Sequence, residues 1–324
     1  MSSEHAPVLV YGATGFTGRH CVAALERMGQ PYWVGGRNAD ALQAVAGPGC
    51  VGVRVAEASN PRAAFEGVGC VISTVGPFAR HGLPVLDAAI AAGVPYVDTT
   101  AEQSFLTMAR TRDAAAVAAG VTALPACGVE YLPMFLGAAL LGDGPVETWL
   151  WLDDFLPTRG SVRSMVAMAG VGPAPRPREV RSGDRSGWAI GIPGAESVLV
   201  HPDCHTHLML GRWEALAFRL GWPIARWFDG DRLGDRIADR LADPTAEQSA
   251  RARFTVIVSR GDAAVRLDGE DVYASTGRFA ATTALALARG EARVAGVRAA
   301  GEALEPQRLL AAIGLEAKRC PAPV

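Results

Sequence analysis

Residues 8–20 have the sequence VLVYGATGFTGRH, in which three glycines separate a short apolar run from a helix-like segment. The glycines stand at 12, 15 and 18, a G-x-x-G-x-x-G spacing rather than the usual G-x-G-x-x-G. In a strand-turn-helix of this kind the first glycine allows a tight bend and the second leaves room for a phosphate, while the third lets helix and strand pack closely. The stretch therefore predicts a pyrophosphate site, with a plain tight turn as the alternative. We expect the whole turn to line the dinucleotide: Gly12, Ala13, Thr14, Gly15, Phe16, Thr17 and Gly18.

The end of the second predicted strand indicates which dinucleotide is bound. NAD-binding folds usually carry an acid there, about 20 residues after the glycines, to hold the ribose hydroxyls. Here the sequence is GGRN, and Arg37 stands nineteen residues after Gly18. A guanidinium can pair with a 2′-phosphate, so we predict NADP(H) rather than NAD(H), bound by Arg37 and Asn38. An ordinary surface arginine is the alternative, and the nearby Asp40 keeps it open.

The alternation of segments predicts an α/β fold through residue 125. Strand-like and helix-like segments that follow one another imply a parallel sheet covered on both faces, a Rossmann-type doubly wound arrangement. The predicted strands are 7–11, 31–35, 51–55, 71–75, 96–98 and 121–124, and the predicted helices are 17–28, 39–46, 83–92 and 103–119. Later segments predict an α+β domain, with a hairpin at 254–267 that turns at Gly261 and Asp262. We expect a first domain at 1–130, a second at 131–299, and a segment of about 300–324 that packs back on the first.

Composition excludes several classes of protein. The chain has 324 residues and a formal net charge of -2, so it lacks the basic excess of nucleic-acid-binding proteins. Its only lysine is Lys318, which excludes a Schiff-base lysine or a P-loop lysine inside the fold. Six cysteines without a C-x-x-C pair favour a reducing cytoplasm. We expect no signal peptide and no membrane span, because the longest apolar stretch is far below the ~20 residues that a span needs.

Four segments together resemble a known family. They are YGATGFTGR, the GR pair of the second strand, VISTVGPFARHGLPVLDAAIAAGVPYVDTTAE and LPACGVEYLPMFLG, in this order. Over residues 7–141 the chain resembles the saccharopine dehydrogenase-like oxidoreductases, which include trans-acting enoyl reductases of actinobacteria. The resemblance implies a Rossmann NADP-binding domain, a mixed substrate domain, and hydride transfer to or from a C=N or C=C bond. It also implies that the nicotinamide lies beside Thr74, Val75, Gly76, Pro77 and Phe78, and near Cys127 and Gly128.

The sequence departs from the family at the turn after the sixth strand. Family members often have C-G-F-D-S-x-P there, and this chain has Cys127-Gly-Val-Glu-Tyr-Leu-Pro133. We predict Tyr131 as the first candidate for a proton donor, with Glu130 beside it and a domain-interface aromatic as the alternative. Asp98, at the end of another strand, is a third candidate, which could bind an imine or amine. The spacing of Thr99 and Glu102 predicts a capping box instead.

Two later segments carry chemistry-bearing residues. His201, Cys204, His205 and His207 could form a metal site, but Pro202 interrupts them and no second cluster completes a ligand set, so we predict no metal and expect pocket lining. Residues 208–228 interleave Trp213, Trp222 and Trp227 with arginine. This pattern is typical of a core or dimer interface; a pocket for a bulky substrate and a membrane surface are the alternatives.

The glycine turn and Arg37 predict an NADPH-binding protein, and the resemblance implies that it is a reductase of an imine or enoyl bond in a small metabolite. One alternative is oxidation of an amino acid or secondary amine, for which Arg80, Arg159, Arg163 or Arg278 could bind the carboxylate. Another alternative is a protein that binds NADP without catalysis. We expect a homodimer and no nucleic-acid partner.

Overall fold

The computed structural model describes residues 6–168, 176–192, 194–225 and 230–324. The chain forms two compact units, Met1–Leu132 with Tyr273–Gly314 and Pro133–Val272 with Leu315–Val324. This division differs from the predicted one, because the helix that begins near residue 273 returns to the first unit. The last ten residues lie in the second unit, where Lys318–Cys320 joins the sheet. The Pro- and Gly-rich sequence at 170–177 predicts a loop, of which residues 170–175 lie outside the described residues.

The strands, in chain order, are β1 Val8–Tyr11, β2 Tyr32–Gly36, β3 Cys50–Val55, β4 Cys70–Ser73, β5 Tyr96–Asp98, β6 Thr122–Leu124, β7 Glu147–Asp153, β8 Arg178–Ser182, β9 Arg185–Ile192, β10 His205–Leu210, β11 Arg253–Arg260, β12 Ala263–Glu270, β13 Gly296–Val297 and β14 Lys318–Cys320. The helices are α1 Phe16–Arg27, α2 Ala39–Val45, α3 Phe78–Ala92, α4 Gln103–Arg110, α5 Asp113–Ala118, α6 Leu132–Leu141, α7 Arg159–Met168, α8 Glu196–Leu199, α9 Arg212–Ala225, α10 Gly230–Ala238, α11 Ala246–Arg251, α12 Val272–Ala288, α13 Ala300–Ala303 and α14 Pro306–Ala312. A 3₁₀ helix spans Arg62–Phe65. The predicted helix at 103–119 is two helices, α4 and α5.

The first unit contains a parallel sheet in the order β3-β2-β1-β4-β5-β6-β13. Val8 of β1 pairs with Tyr32 on one side and with Cys70 on the other. The chain builds outward from β1 to β3 and then returns to β4, so the direction of winding reverses between β1 and β4. Open α/β sheets bind ligands at such a switch point, outside the carboxyl ends of the strands. The predicted Rossmann-type fold is confirmed.

The second unit contains a mixed sheet in the order β14-β12-β11-β7-β10-β9-β8. β7 and β10 pair in parallel, and the other neighbours are antiparallel. The predicted hairpin is confirmed as β11 and β12, with Gly261 at φ +56° between them. After β14 the chain crosses to the opposite edge, where Val324 exchanges backbone hydrogen bonds of 2.9 and 3.0 Å with Arg181. The tail therefore links the two edges of a curled sheet, over a core that includes Trp149, Trp151 and Ile257.

No helix among residues 6–168, 176–192, 194–225 and 230–324 combines the length and the apolar character that crossing a membrane requires.

Candidate functional site

The glycine turn has the geometry of a phosphate-binding loop. Gly12 adopts φ +91°, a conformation that favours glycine, and its N–H donates to the carbonyl oxygen of Gly35 over 2.8 Å. A Cβ at Gly18 would lie 2.3 Å from the carbonyl oxygen of Gly12 and 2.8 Å from the Cα of Ala13. Gly15 is exposed at the start of α1, and a Cβ there would lie 3.3 Å from the same Gly12 oxygen. Gly12 and Gly18 thus allow the bend and the close packing, and Gly15 keeps the mouth of the turn open.

The first turn of α1 is the place where this edge of the sheet can receive an anion. No side chain in the described part of the chain caps α1, and its first turn carries no acid. By contrast, Asn38 Oδ1 accepts from the N–H of Ala41 and caps α2. The N–H groups of an uncapped first turn, together with the helix dipole, attract a phosphate. The structure thus gives Asn38 a capping function, in addition to its predicted place at the cofactor.

Arg37 follows β2 directly and is exposed. It forms no ion pair with any residue that the structure describes, although Asp40 lies only three positions further on, in the first turn of α2. Its guanidinium is therefore available to an anionic ligand at the carboxyl end of β2. No acid occupies the strand end where NAD-binding folds place one.

The turn after β4 is attached to the glycine turn. Thr74 Oγ1 donates to the carbonyl oxygen of Gly12 over 3.0 Å, and the Thr74 N–H donates to that of Tyr11 over 2.8 Å. The peptide bond between Gly76 and Pro77 is cis. Phe78 is buried against Phe105, with ring centroids 5.6 Å apart. Of the five residues predicted beside the nicotinamide, Thr74 and Phe78 therefore build the turn, while Val75, Gly76 and Pro77 form its accessible surface.

Glu102 anchors the turn after β4, a function that differs from the capping box predicted from the sequence. Its side chain is buried, and its two carboxylate oxygens accept from the N–H groups of Phe78 and Ala79 over 3.0 and 2.8 Å. The predicted capping box of Thr99 and Glu102 is wrong, because Glu102 is itself the N-cap residue of α4 and its carboxylate caps α3. A buried carboxylate on two N–H groups is a strong, charge-assisted anchor. The N–H groups of Phe78 and Ala79 at the start of α3 are therefore not available to a phosphate.

Asp98 is buried and serves the same edge of the sheet. Its Oδ1 accepts from the N–H groups of Thr100 and Ala126, each over 2.9 Å, and so joins the end of β5 to the turn after β6. Within the described residues Oδ2 has no hydrogen-bond partner. Burial raises the pKa of Asp98 to about 7, against the effect of the two N–H groups. Asp98 is buried, so its carboxyl group is placed to position these two turns, and its binding of a substrate imine or amine stays a prediction.

In the turn after β6, Glu130 is half-buried and its neighbours are buried. Cys127 and Gly128 are buried, and their place near the cofactor stays a prediction. The turn is held by α12, whose Thr276 Oγ1 accepts from the N–H of Val129 over 3.3 Å. Glu130 is half-buried, and desolvation raises the pKa of its carboxyl group, which favours the protonated form. Tyr131 is only 5% exposed, so it is less accessible than Glu130.

The histidine-rich segment lies in the second unit. In β10 the side chains alternate, so His205 and His207 share a face and Thr206 faces the other way. His207 stacks on Trp149 with centroids 5.4 Å apart, and burial lowers its pKa. His205 lines a cavity of about 330 Å³ together with Glu147, Trp149 and Arg260. In the described part of the chain no three His, Cys, Asp or Glu side chains are placed to hold a metal ion.

Two of the arginines considered for a substrate carboxylate are already paired. Arg159 and Arg163 both bind Asp239, over 3.4 and 3.0 Å, and Arg163 also binds Asp235 over 3.0 Å. These ion pairs join α7 to the α10 region, so the two guanidinium groups hold helices together.

Comparison with known proteins shows what the first unit resembles. Residues 8–124 match the family of the saccharopine dehydrogenase NADP binding domain. A trans-acting enoyl reductase of Mycobacterium bovis is 31% identical over 151 residues, which cover 43% of this chain and 36% of that protein. The enzyme of the same name from Mycobacterium leprae is 32% identical over 137 residues, covering 39% of this chain and 33% of the relative. The match thus spans about a third of the length of these relatives.

The fold extends the similarity beyond the first unit. Saccharopine dehydrogenase (L-Glu forming) from Saccharomyces cerevisiae superposes with a TM-score of 0.58 at 13% identity, covering 98% of this chain and all of that one. At this identity the likeness concerns the fold alone. Residues 8–124 therefore resemble the saccharopine dehydrogenase NADP binding domain.

Proposed function

We propose that the protein is an NADPH-dependent reductase that transfers hydride to a C=N bond or an activated C=C bond of a small metabolite. One observation carries the proposal: an uncapped phosphate turn, a free arginine and a half-buried acid follow three strands of the same parallel sheet, each at its carboxyl end. The first two features bind a phosphorylated dinucleotide, and the third supplies the proton that a reduction consumes.

In this proposal, different residues of the first unit bind the cofactor, position its ring and deliver the proton. The N–H groups at Gly15 and the start of α1 hold the pyrophosphate, and Arg37 pairs with the 2′-phosphate. Val75, Gly76 and Pro77 form the wall beside the ring, on a turn that Glu102 anchors. Bound NADPH supplies the hydride. The hydride goes to the carbon of C=N, or to the β-carbon of an activated C=C, while Glu130 delivers a proton to the nitrogen or the α-carbon, and the π bond is lost.

The similarity to mycobacterial trans-acting enoyl reductases supports the C=C substrate. Tyr131 is the second candidate for the proton donor. The homodimer and the cytoplasmic location stay predictions. Light scattering of the purified protein tests the homodimer.

Replacement of Arg37 by alanine tests the choice of NADPH. We expect the affinity for NADPH to fall about 10–100-fold and the affinity for NADH to change less than about threefold, because a charge-assisted contact of ~1.5–3 kcal/mol is lost only with the 2′-phosphate. Calorimetric titration with both dinucleotides measures this. Arg27→Ala is the matched control, an exposed arginine at the other end of α1. An equal loss for NADPH and NADH would remove the 2′-phosphate argument.

Replacement of Glu130 and of Tyr131, both in the turn after β6, tests which residue is the proton donor. We expect Glu130→Gln to lower kcat about 10²–10⁴-fold with little change in the Kd for NADPH, and Tyr131→Phe to have a smaller effect. Turnover is measured as NADPH oxidation with a panel of cyclic imines and α,β-unsaturated thioesters. Full activity of Glu130→Gln together with loss in Tyr131→Phe would move the donor to Tyr131. Tight NADPH binding without turnover of either substrate class would favour a non-catalytic NADP-binding protein.

A further inference from the structure

Helix α9, in the second unit, carries an apolar stripe that faces solvent. Trp213 is 74% exposed, Leu220 63% and Leu216 42%. Of the two interpretations, core or dimer interface, the exposure of Trp213 excludes the core, and the dimer interface stays a prediction. The side chains of Trp222 and Trp227, predicted with it, lie outside the described residues.

The apolar stripe of α9 faces solvent, whereas the apolar face of an ordinary surface helix faces the core. At about 100° per residue, positions 213, 216, 217 and 220 fall within an arc of about 100°. The residues by which α9 contacts the protein, buried Ala215 and half-buried Phe218, point in the opposite direction. A helix on the surface of a globular protein normally turns its apolar face to the core. The outward stripe of Trp213, Leu216 and Leu220 is thus an interaction surface.

The charges beside the stripe are asymmetric. Arg212 and Arg219 lie on the same flank, about 20° apart on the helical wheel. Arg212 sits over the ring of Trp213, 5.7 Å from its centroid, and Arg219 forms no ion pair within the described residues. The acid on the other flank, Glu214, is held at the helix N-terminus, where its carboxylate accepts from the N–H of Gly211 over 2.9 Å. The stripe therefore has a positive border.

We propose that α9 docks this protein on an anionic phospholipid surface. Tryptophan and leucine insert at the boundary between headgroups and acyl chains, and arginines beside them pair with lipid phosphates. A second copy of the chain fits this border poorly in an antiparallel two-fold contact through α9, because the arginine flank of each helix would then lie against that of the other. With three apolar side chains and two arginines, the docking is reversible and sensitive to salt. The proposal is independent of the reductase chemistry.

Sedimentation of the full-length protein with vesicles tests the proposal. We expect binding to vesicles of phosphatidylcholine and phosphatidylglycerol, and at least about fivefold less binding to phosphatidylcholine alone. The double variant Trp213→Ser, Leu220→Ser should lose vesicle binding about tenfold, and Arg212→Gln, Arg219→Gln should lose the preference for the anionic lipid. Val117→Ser, on an exposed apolar residue of the first unit, is the matched control and should bind like the unaltered protein.

Two further measurements show whether the α9 variants keep their fold and their cofactor site. The melting temperature and the Kd for NADPH should be unchanged in the α9 variants, since the serines replace exposed side chains. Absence of binding to anionic vesicles, or equal binding by the Trp213→Ser, Leu220→Ser variant, would overturn the proposal. Light scattering that shows a dimer which this variant converts to a monomer would also overturn it, because a second copy would then cover the stripe.

Discussion

Replacing Gly18 by alanine is expected to lower the free energy of unfolding by about 3 kcal/mol and to reduce NADPH affinity at least tenfold. The added Cβ would lie 2.3 Å from the carbonyl oxygen of Gly12 and 2.8 Å from the Cα of Ala13. Both atoms belong to the backbone, so no side-chain rotation relieves the contact. α1 must move away from the turn, and its first N–H groups then leave the position in which they face the phosphates. Urea denaturation measures the stability, and calorimetry measures the affinity.

Gly15→Ala separates the two effects. Gly15 is exposed, has φ −68°, and its Cβ would lie 3.3 Å from the Gly12 carbonyl oxygen. We expect a change of less than about 1 kcal/mol in the free energy of unfolding, but a clear loss of NADPH affinity, since the methyl group occupies the approach to the pyrophosphate. If Gly18→Ala proved as stable as the unaltered protein, the tight contact between α1 and the turn would be refuted. Unchanged affinity in both variants would refute the phosphate site.

Features encoded by neighbouring residues could be predicted from the sequence. The strand-glycine-helix order at β1 and α1 depends on a few adjacent positions, and so does the turn at Gly261 and Asp262 between β11 and β12. The alternation of apolar runs and helical spacing was enough for the parallel sheet of the first unit. The glycine turn and the hairpin are local in the chain, whereas the sheet also joins distant strands, since Val8 of β1 pairs with Cys70 of β4 and Thr122 of β6 pairs with Gly296 of β13.

Features that depend on distant partners could not be predicted. Glu102 caps a helix whose first residues lie more than twenty positions earlier, and a local capping box uses the same residue types. Likewise, α12 contributes Thr276 to the turn at Val129 across 147 positions, so its place in the first unit has no local signal. The strand β8 was missed because charged and polar residues dominate it and because it is an edge strand that the C-terminal tail completes, and β9 was missed because two glycines and a polar start interrupt its apolar pattern.

The direction in which a side chain points could not be predicted from the sequence either. The end of a parallel strand predicts that a residue lies near the ligand edge, but it does not say whether its side chain faces the ligand or the protein interior. Asp98 is at the expected edge, yet its carboxyl group lies inside the protein. Trp213 lies in the tryptophan- and arginine-rich segment that is typical of a core or dimer interface, yet in the single chain it faces outward. In both cases the packing of the surrounding elements decides the direction, and that packing is a property of the whole fold.

Asp98→Asn should make the protein more stable at pH 8 by on the order of 2–4 kcal/mol and should change its stability little at pH 4. Burial raises the pKa of Asp98 from 3.8 to about 7. Between these values the folded protein holds a proton that the unfolded chain has lost, so the free energy of unfolding falls as the pH rises from about 4 to 7. Asparagine resembles the protonated form, because its Oδ1 still accepts from Thr100 and Ala126 while its amide replaces the ionisable oxygen.

Urea denaturation of both proteins at several pH values between 4 and 8 measures this difference. Other buried acids, such as Glu196, titrate in both proteins and cancel when the two curves are subtracted. The control is Asp87→Asn, which removes an exposed carboxylate paired with Arg112 and should shift stability by less than about 1 kcal/mol at every pH. If the Asp98→Asn curve ran parallel to that of the unaltered protein, Asp98 would carry no proton near neutrality. The two N–H groups would then outweigh its burial, and the carboxylate would anchor the β5 and β6 turns in its ionised form.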